Sequence, residues 1–332
     1  MVVSLRGRHF LSLKDFTEEE LYEILDTAAS LKLKLYRGEP HELLKGKTLG
    51  MIFSRPSTRT RISFETGMTQ LGGHAQYLST DLHALRAKVG QILEPWKDAS
   101  RVISRYVDGI MARVDDQSLQ EIVQYSRVPV ISGATQRSHP CQVMADLLTI
   151  REKKNRLEGL NLALCWAFAP MYDKPPTLVY DTIYAGARLG MNITLACPEG
   201  YAPKETVDWA KREASLRGGS IEINHNLREA VDGADVIHTK CWVLPEWGEY
   251  APLPDWGKEA PHRKNPEKYK GWITDSDLVA RAKKDVIVMN AMPVARNQEM
   301  TDEVIEGPHS VLIDEAENRL HAQKGVLALI LS

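Results

Sequence analysis

Short apolar runs alternate with amphipathic ones along almost the whole chain, and few folds survive that constraint. Near-continuous apolar stretches at residues 48–53, 74–78, 109–112, 128–132, 161–166, 192–196, 236–239, 286–289 and 311–313 read as strands. Between them, residues 18–34, 96–106, 118–126, 143–153, 177–189 and 204–217 carry helical patterning. Strands of this kind, joined by helices, form parallel sheets covered by helices. The expected fold class is α/β. A length of 332 residues is enough for two cores, so two doubly wound domains are expected. The charged helix end Arg151-Glu152-Lys153-Lys154, followed by a new strand at Asn161, puts the break near residue 150. The expected domains are therefore residues 1–150 and 151–310.

Composition narrows the class of function. A formal net charge of -2 argues against a general nucleic-acid binder. No apolar run reaches membrane-spanning length and no signal-peptide pattern opens the chain, so a cytoplasmic protein without a membrane partner is expected. Cys141, Cys165, Cys197 and Cys241 are scattered and form no CxxC pair. They read as buried thiols, not as disulfides or a zinc site.

Ligands of open α/β sheets bind beyond the carboxyl ends of strands, and the chemically interesting residues fall there. Ser57-Thr58-Arg59-Thr60-Arg61 follows the first strand and opens a helix-like run in which Phe64, Met68 and Leu71 repeat, with Gly72-Gly73 as its stop. Ser57 suits an N-cap. Two arginines and no acid in the first turn are the wrong sign for a helix start. Amides, hydroxyls and arginines gathered there make an anion site, best suited to phosphate. Arg113, then His139-Pro140-Cys141-Gln142, then Asn290-Ala291-Met292-Pro293 follow later strands. Two common alternatives fail. Gly46-Lys47-Thr48 ends like a phosphate-binding P-loop, but His41 stands where its first glycine belongs and a strand follows it. No GxGxxG follows residues 161–166, which excludes a dinucleotide fingerprint.

Together, Ser57–Arg61, Arg113, His139–Gln142, Met292-Pro293 and Asp314-Glu315-Ala316-Glu317-Asn318-Arg319-Leu320-His321 resemble the aspartate/ornithine carbamoyltransferase family, in order and separation over nearly the whole chain. The resemblance implies an N-terminal carbamoyl phosphate domain, an amino-acid domain, and a C-terminal segment, residues 311–332, that packs back on the first domain. It also implies a homotrimer with active sites between subunits. Ala169-Pro170-Met171-Tyr172-Asp173-Lys174-Pro175-Pro176 and Thr239-Lys240-Cys241-Trp242 look like the branch that carbamoylates N-acetylornithine and N-succinylornithine. In that branch the proline-rich loop is part of a chain knot.

The reaction this implies needs no metal and no organic cofactor. A neutral amine attacks carbamoyl phosphate, a tetrahedral oxyanion develops, and phosphate departs. Catalysis of this kind rests on positioning and preorganised donors. By family position Ser57, Thr58, Arg59, Thr60 and Arg319 hold phosphate. Arg113 bridges phosphate and carbonyl oxygen, His139 donates to the oxyanion, Gln142 contacts the carbamoyl amide, and Met292 offers its backbone carbonyl. Arg59, Arg113 and His139 are the expected catalytic residues. Lys240, Trp242, Asn290 and Arg296 are the candidates for the second substrate. The segment 88–98 resembles the loop that reaches a neighbouring subunit, with Glu94 and Asp98 at its acidic positions and Lys88 directed to phosphate.

Each residue also has a plainer reading. Arg61 is expected to pair with Glu65 one turn on, Glu317 would serve as an ion-pair partner for Arg319, and Met292 would belong to a core. One segment departs from the family pattern. The His-Cys-Leu-Pro or His-Pro-Leu-Pro of relatives is Asn290-Ala291-Met292-Pro293, and the basic pair that follows is Ala295-Arg296. Losing a cationic partner for a substrate carboxylate would cost about 2–5 kcal/mol. The expected activity is carbamoyl transfer to the amine of a small ornithine-like amino acid. The alternatives are an N-acetyl- or N-succinylornithine carbamoyltransferase of arginine biosynthesis, and a non-catalytic binder of carbamoyl phosphate.

Overall fold

The computed structural model describes residues 4–80, 94–172, 174–245 and 259–332. The chain divides into two compact units. The first comprises Met1–Leu148 with Glu317–Ser332, and the second comprises Thr149–Ala316.

The first unit holds strands β1 (Thr48–Phe53), β2 (His74–Ser79), β3 (Gly109–Arg113) and β4 (Val130–Ser132), all parallel, in the order β2-β1-β3-β4. Its helices are α1 (Glu18–Tyr36), α2 (Thr58–Gln70), α3 (Trp96–Ile103) and α4 (Asp116–Tyr125), and α5 (Pro140–Lys154) begins there. The capping box of Thr17 and Glu20 starts α1. Phe64, Met68 and Leu71 are fully buried, which explains why their spacing predicts α2 correctly. Gly72 stops that helix at a positive φ of 79°. From β1 the chain goes to one side for β2 and to the other for β3 and β4. The sheet therefore reverses between β1 and β3, the point at which an α/β sheet opens a crevice for a ligand.

The C-terminal helix (Leu312–Leu331) returns to this first unit as expected. Gly325 lets it approach α1: a Cβ there would stand 2.8 Å from the Ile24 carbonyl oxygen and 3.0 Å from Ala28 Cβ.

The second unit holds β5 (Asn161–Trp166), β6 (Asn192–Ala196), β7 (Ser220–Asn224), β8 (Val236–Lys240) and β9 (Ile287–Met289), parallel, in the order β7-β6-β5-β8-β9. Its switch point lies between β5 and β8. Trp166 at the end of β5 is the hub of an aromatic cluster with Tyr201, His262, Tyr269 and Trp272, at centroid distances of 4.9–5.9 Å. Tyr201 and His262 also share a hydrogen bond of 2.8 Å.

Two sequence expectations need correction. Residues 311–313 do not form a strand: Val311 N donates to Val288 O at 3.0 Å, and the chain then enters the last helix. The β-like Val-Leu-Ile run yields to the long helical pattern behind it. Strand β7 was not anticipated, because its edge position leaves most of its residues uncovered and no continuous apolar run marks it. The four cysteines are buried, as expected. Among the described residues, no helix is long and apolar enough to cross a membrane.

Candidate functional site

The first unit builds its site on the switch point of its sheet. The ends of β1 and β3 are tied together, with Ser54 N donating to Arg113 O at 3.0 Å and Ser54 Oγ to the same oxygen at 3.1 Å. Beyond β1 the chain turns into α2, with Ser57 at the N-cap. The Ser57 hydroxyl does not cap the helix. It donates to Thr60 Oγ1 at 3.0 Å. The amides of the first turn therefore lack a side-chain cap, in a turn with no acid. A helix start of that kind favours an anion.

Arg113 leaves the end of β3 and donates from Nη1 to Gly133 O at 2.8 Å. Gly133 is closely packed: a Cβ there would stand 2.4 Å from Met111 Sδ and 3.2 Å from Arg113 Cβ, so the Met111 side chain would have to shift. The neighbouring Ala134 takes a positive φ of 135°, a conformation that strains a residue with a side chain. His139 ends the same loop, and its carbonyl accepts from Gln142 N and Val143 N as α5 begins.

Arg319, on the last helix, joins these elements. Its Nη1 donates to Gln142 Oε1 at 2.6 Å and its Nη2 reaches Thr60 Oγ1 at 3.4 Å. Gln142 Nε2 donates to Asp146 Oδ1 at 2.8 Å. This fixes the Gln142 amide, because the guanidinium can only donate and the carboxylate accepts. Ser57, Thr60, Gln142 and Arg319 are thus one hydrogen-bonded set.

The charges suit an anion. Burial, then Arg319 and Arg113, push His139 well below the ordinary imidazole range. At neutral pH it is an uncharged donor. Burial lowers Arg59 from its ordinary value, but a guanidinium remains charged in a protein. Thr58 and Arg59 are exposed in the first turn of α2. Arg61 lies outside the set. It pairs with Glu65 at 3.0 Å and stacks over Tyr77 at 4.0 Å, as the plainer reading expects. Glu317 meets Tyr36 and His321. Glu94 and Asp98 are exposed, while Lys88 lies outside the described residues.

The second unit holds the remaining candidates. Lys240, at the end of β8, is buried. Its Nζ donates to Asn290 Oδ1 at 2.9 Å, Pro293 O at 3.0 Å and Glu299 Oε2 at 3.2 Å, and lies 3.0 Å from Glu299 Oε1. Glu299 also accepts from Cys241 N and Ala295 N, each at 2.8 Å. Burial works against its charge, yet Lys240 and these two amides outweigh it and hold the carboxyl below its usual range. Lys240 can only donate, so it fixes Asn290 with the oxygen inward. Asn290 Nδ2 is buried and has no partner among the described residues.

Met292 is half-buried against the core of this unit, and its bond to Pro293 is cis. Trp242 is fully buried and donates from Nε1 to Tyr201 O at 3.0 Å. Arg296 is exposed, with Asp302 at 2.7 Å and Glu306 at 2.5 Å. Sequence reasoning missed Glu299 and Asp146. Asp146 stands one turn beyond Gln142 in an otherwise apolar helical run, where an i, i+4 pairing could have marked it. Glu299 lies in a polar stretch with no motif and becomes visible only through a lysine far away in sequence.

Comparison with known proteins matches residues 8–152 to the model for the carbamoyl-P binding domain of aspartate/ornithine carbamoyltransferase. Residues 158–330 match the model for its Asp/Orn binding domain. An ornithine carbamoyltransferase of Pyrococcus abyssi is 45% identical, with 100% of this chain and 98% of the relative covered. The solved ornithine carbamoyltransferase from Pyrococcus furiosus superposes with a TM-score of 0.87 at 43% identity, over 99% of each chain. An acetylornithine transcarbamylase complexed with acetylcitrulline superposes with a TM-score of 0.85 at 32% identity, over 98% of this chain and 99% of that one.

Proposed function

The chain belongs to the aspartate/ornithine carbamoyltransferase family, and we propose that it moves the carbamoyl group of carbamoyl phosphate to the amine of a small ornithine-like amino acid and releases phosphate. The observation that carries this reading is the convergence at the first sheet's switch point. An uncapped helix start, Arg113, a neutral His139 and the Arg319–Gln142–Thr60 set gather there.

Each group has a task in the reaction. The amides of the first turn, Ser57, Thr58, Arg59 and Thr60 hold the phosphate, with Arg319 behind Thr60. Arg113 spans phosphate and carbonyl oxygen. The acceptor's neutral amine attacks the carbonyl carbon and the C=O electrons move to oxygen. His139 and Arg113 stabilise that oxyanion; its collapse breaks the bond from carbon to the phosphate oxygen, and the departing phosphate takes the proton that the attacking nitrogen gives up. Gln142, oriented by Arg319 and Asp146, offers its amide oxygen to the carbamoyl NH2. The protein forms no covalent bond, so the rate comes from preorganised dipoles and positioning.

On the acceptor side, Asn290 offers the buried Nδ2 donor that Lys240 orients. Trp242 and the Lys240–Glu299 pair hold the frame, and Arg296 stands at its surface. The first unit serves carbamoyl phosphate and the second the acceptor. The protein works in the cytoplasm as a homotrimer with sites between subunits. A carbamoylation screen tests the reading. Ornithine should give citrulline and phosphate. Turnover of N-acetyl- or N-succinylornithine without ornithine would favour the acylated branch. Carbamoyl phosphate binding with no product from any amine would leave a binding protein.

A further inference from the structure

The last helix carries another buried polar residue one turn beyond Arg319, outside the Asp314–His321 motif. Gln323 is fully buried. Its amide lies between three polar atoms: the Arg319 carbonyl, Ser63 Oγ and Arg319 Nη2. Guanidinium can only donate and a carbonyl can only accept. The Gln323 amide oxygen must therefore face Nη2, at 3.0 Å, and its NH2 must face Ser63 Oγ, at 2.6 Å, and the carbonyl, at 3.3 Å.

Ser63 continues the chain of bonds. Its hydroxyl lies 2.6 Å from Arg59 O and 3.2 Å from Thr60 O. It has one proton, given to α2, and accepts from Gln323. A directional relay runs from Arg319 Nη2 through the Gln323 amide and Ser63 to the backbone of Arg59. Both ends are groups that the proposed reaction assigns to phosphate.

We propose that Gln323 is a positioning residue for the carbamoyl phosphate site: it sets the plane of the Arg319 guanidinium and locks that guanidinium to the helix turn that carries Arg59 and Thr60. The inference rests on the carbamoyl phosphate reading of that site. Among the described residues, Gln142, Thr60 and Gln323 all accept from the guanidinium. Two of them come from elements that carry other site residues, while Gln323 comes from the same helix as Arg319. It is the contact that orients Arg319 relative to its own backbone. A side chain of similar length without the amide would fill the space but release both Nη2 and Ser63. The phosphate donors would then be free to reorient before binding.

The test compares wild type with Gln323→Met and Ser63→Ala. Carbamoyl phosphate and inorganic phosphate binding are measured by calorimetry, with kcat and both KM values from steady-state kinetics and a thermal melt alongside. A hydrogen bond to a charged group contributes on the order of 10- to 100-fold. Gln323→Met should weaken carbamoyl phosphate binding by about 10-fold, raise its KM in step, and leave the acceptor KM unchanged. Ser63→Ala should move the same quantities less, and the double variant should lose less than the two single losses combined, because the relay is shared. A folded Gln323→Met protein with wild-type phosphate affinity overturns the inference, even if its melting temperature falls. If that variant does not fold, Ser63→Ala decides the question by the same criterion. Wild type without affinity for carbamoyl phosphate overturns the underlying reading instead.

Discussion

Glu299→Gln keeps the shape of a buried side chain and removes one charge. Glu299 is wholly buried, and its two oxygens serve Lys240 Nζ, Cys241 N and Ala295 N. A glutamine has one oxygen and one NH2. Whichever way the amide turns, one backbone N–H faces another donor, and Lys240 loses its carboxylate. Breaking a buried ion pair by removing one partner costs about 3–5 kcal/mol. Stranding a buried amide adds about 1–3 kcal/mol. Asn290 Oδ1 and Pro293 O still accept from Lys240, which places the expected loss near the lower end, at about 4 kcal/mol. Urea unfolding followed by tryptophan fluorescence reads it directly, since six of the seven tryptophans lie between residues 149 and 316. Removing both charges in a Lys240→Met/Glu299→Leu protein should recover part of the loss. A loss below about 1 kcal/mol in Glu299→Gln, the range of a solvated surface pair, would refute this account of the second unit's frame.

Three further outcomes follow from the geometry. His139→Ala should lower kcat by about 10²–10³, the usual cost of one oxyanion donor. Because His139 is neutral well below its ordinary range, the acid limb of the wild-type pH–rate profile should move with the acceptor's amine pKa when the acceptor is changed, and a limb fixed near 6.5 would contradict this. Ala134→Gly should stabilise the fold by roughly 1 kcal/mol, because relief of positive-φ strain exceeds the entropy that glycine adds to the unfolded chain; a denaturant midpoint at or below wild type would count against it. Burial lowers His238 to about 3 and His321 to about 4. The unfolded chain therefore binds more protons below pH 6.5, and stability should fall with pH from there toward 4 by about 1.4 kcal/mol per unit for each group. His238→Phe, if it folds, should flatten that slope in urea titrations at pH 7.5, 6 and 5.

Most strands of both sheets were legible because parallel strands buried on both faces leave continuous apolar runs, as in β1, β3, β5 and β8. Residues 48–53 and 161–166 match their strands to the residue. Edge strand β7 escaped because Ser220-Ile221-Glu222-Ile223-Asn224 has too few apolar positions. For the residues proposed to hold phosphate, local order sufficed to place the turn: Ser57 is the N-cap and Thr58–Arg61 open α2 behind β1. The acceptor side was harder to read. Lys240 looked like a substrate cation, but its counter-ion, Glu299, is separated from it by 58 intervening residues, and no spacing rule links the two. Arg296 posed the opposite problem. Asp302 and Glu306 follow closely in sequence, and a local reading of charge would have found the pairs that the structure shows.

Carbamoyl transfer through the Ser57–Arg319 site is tested most directly by following two products at once. With carbamoyl phosphate and a productive amine, wild type should release one phosphate for each carbamoylated amine formed. Arg59→Ala should lose both products together while the protein stays folded. Phosphate without carbamoylated amine across the acceptor panel, or near-wild-type turnover in Arg59→Ala, would contradict the account.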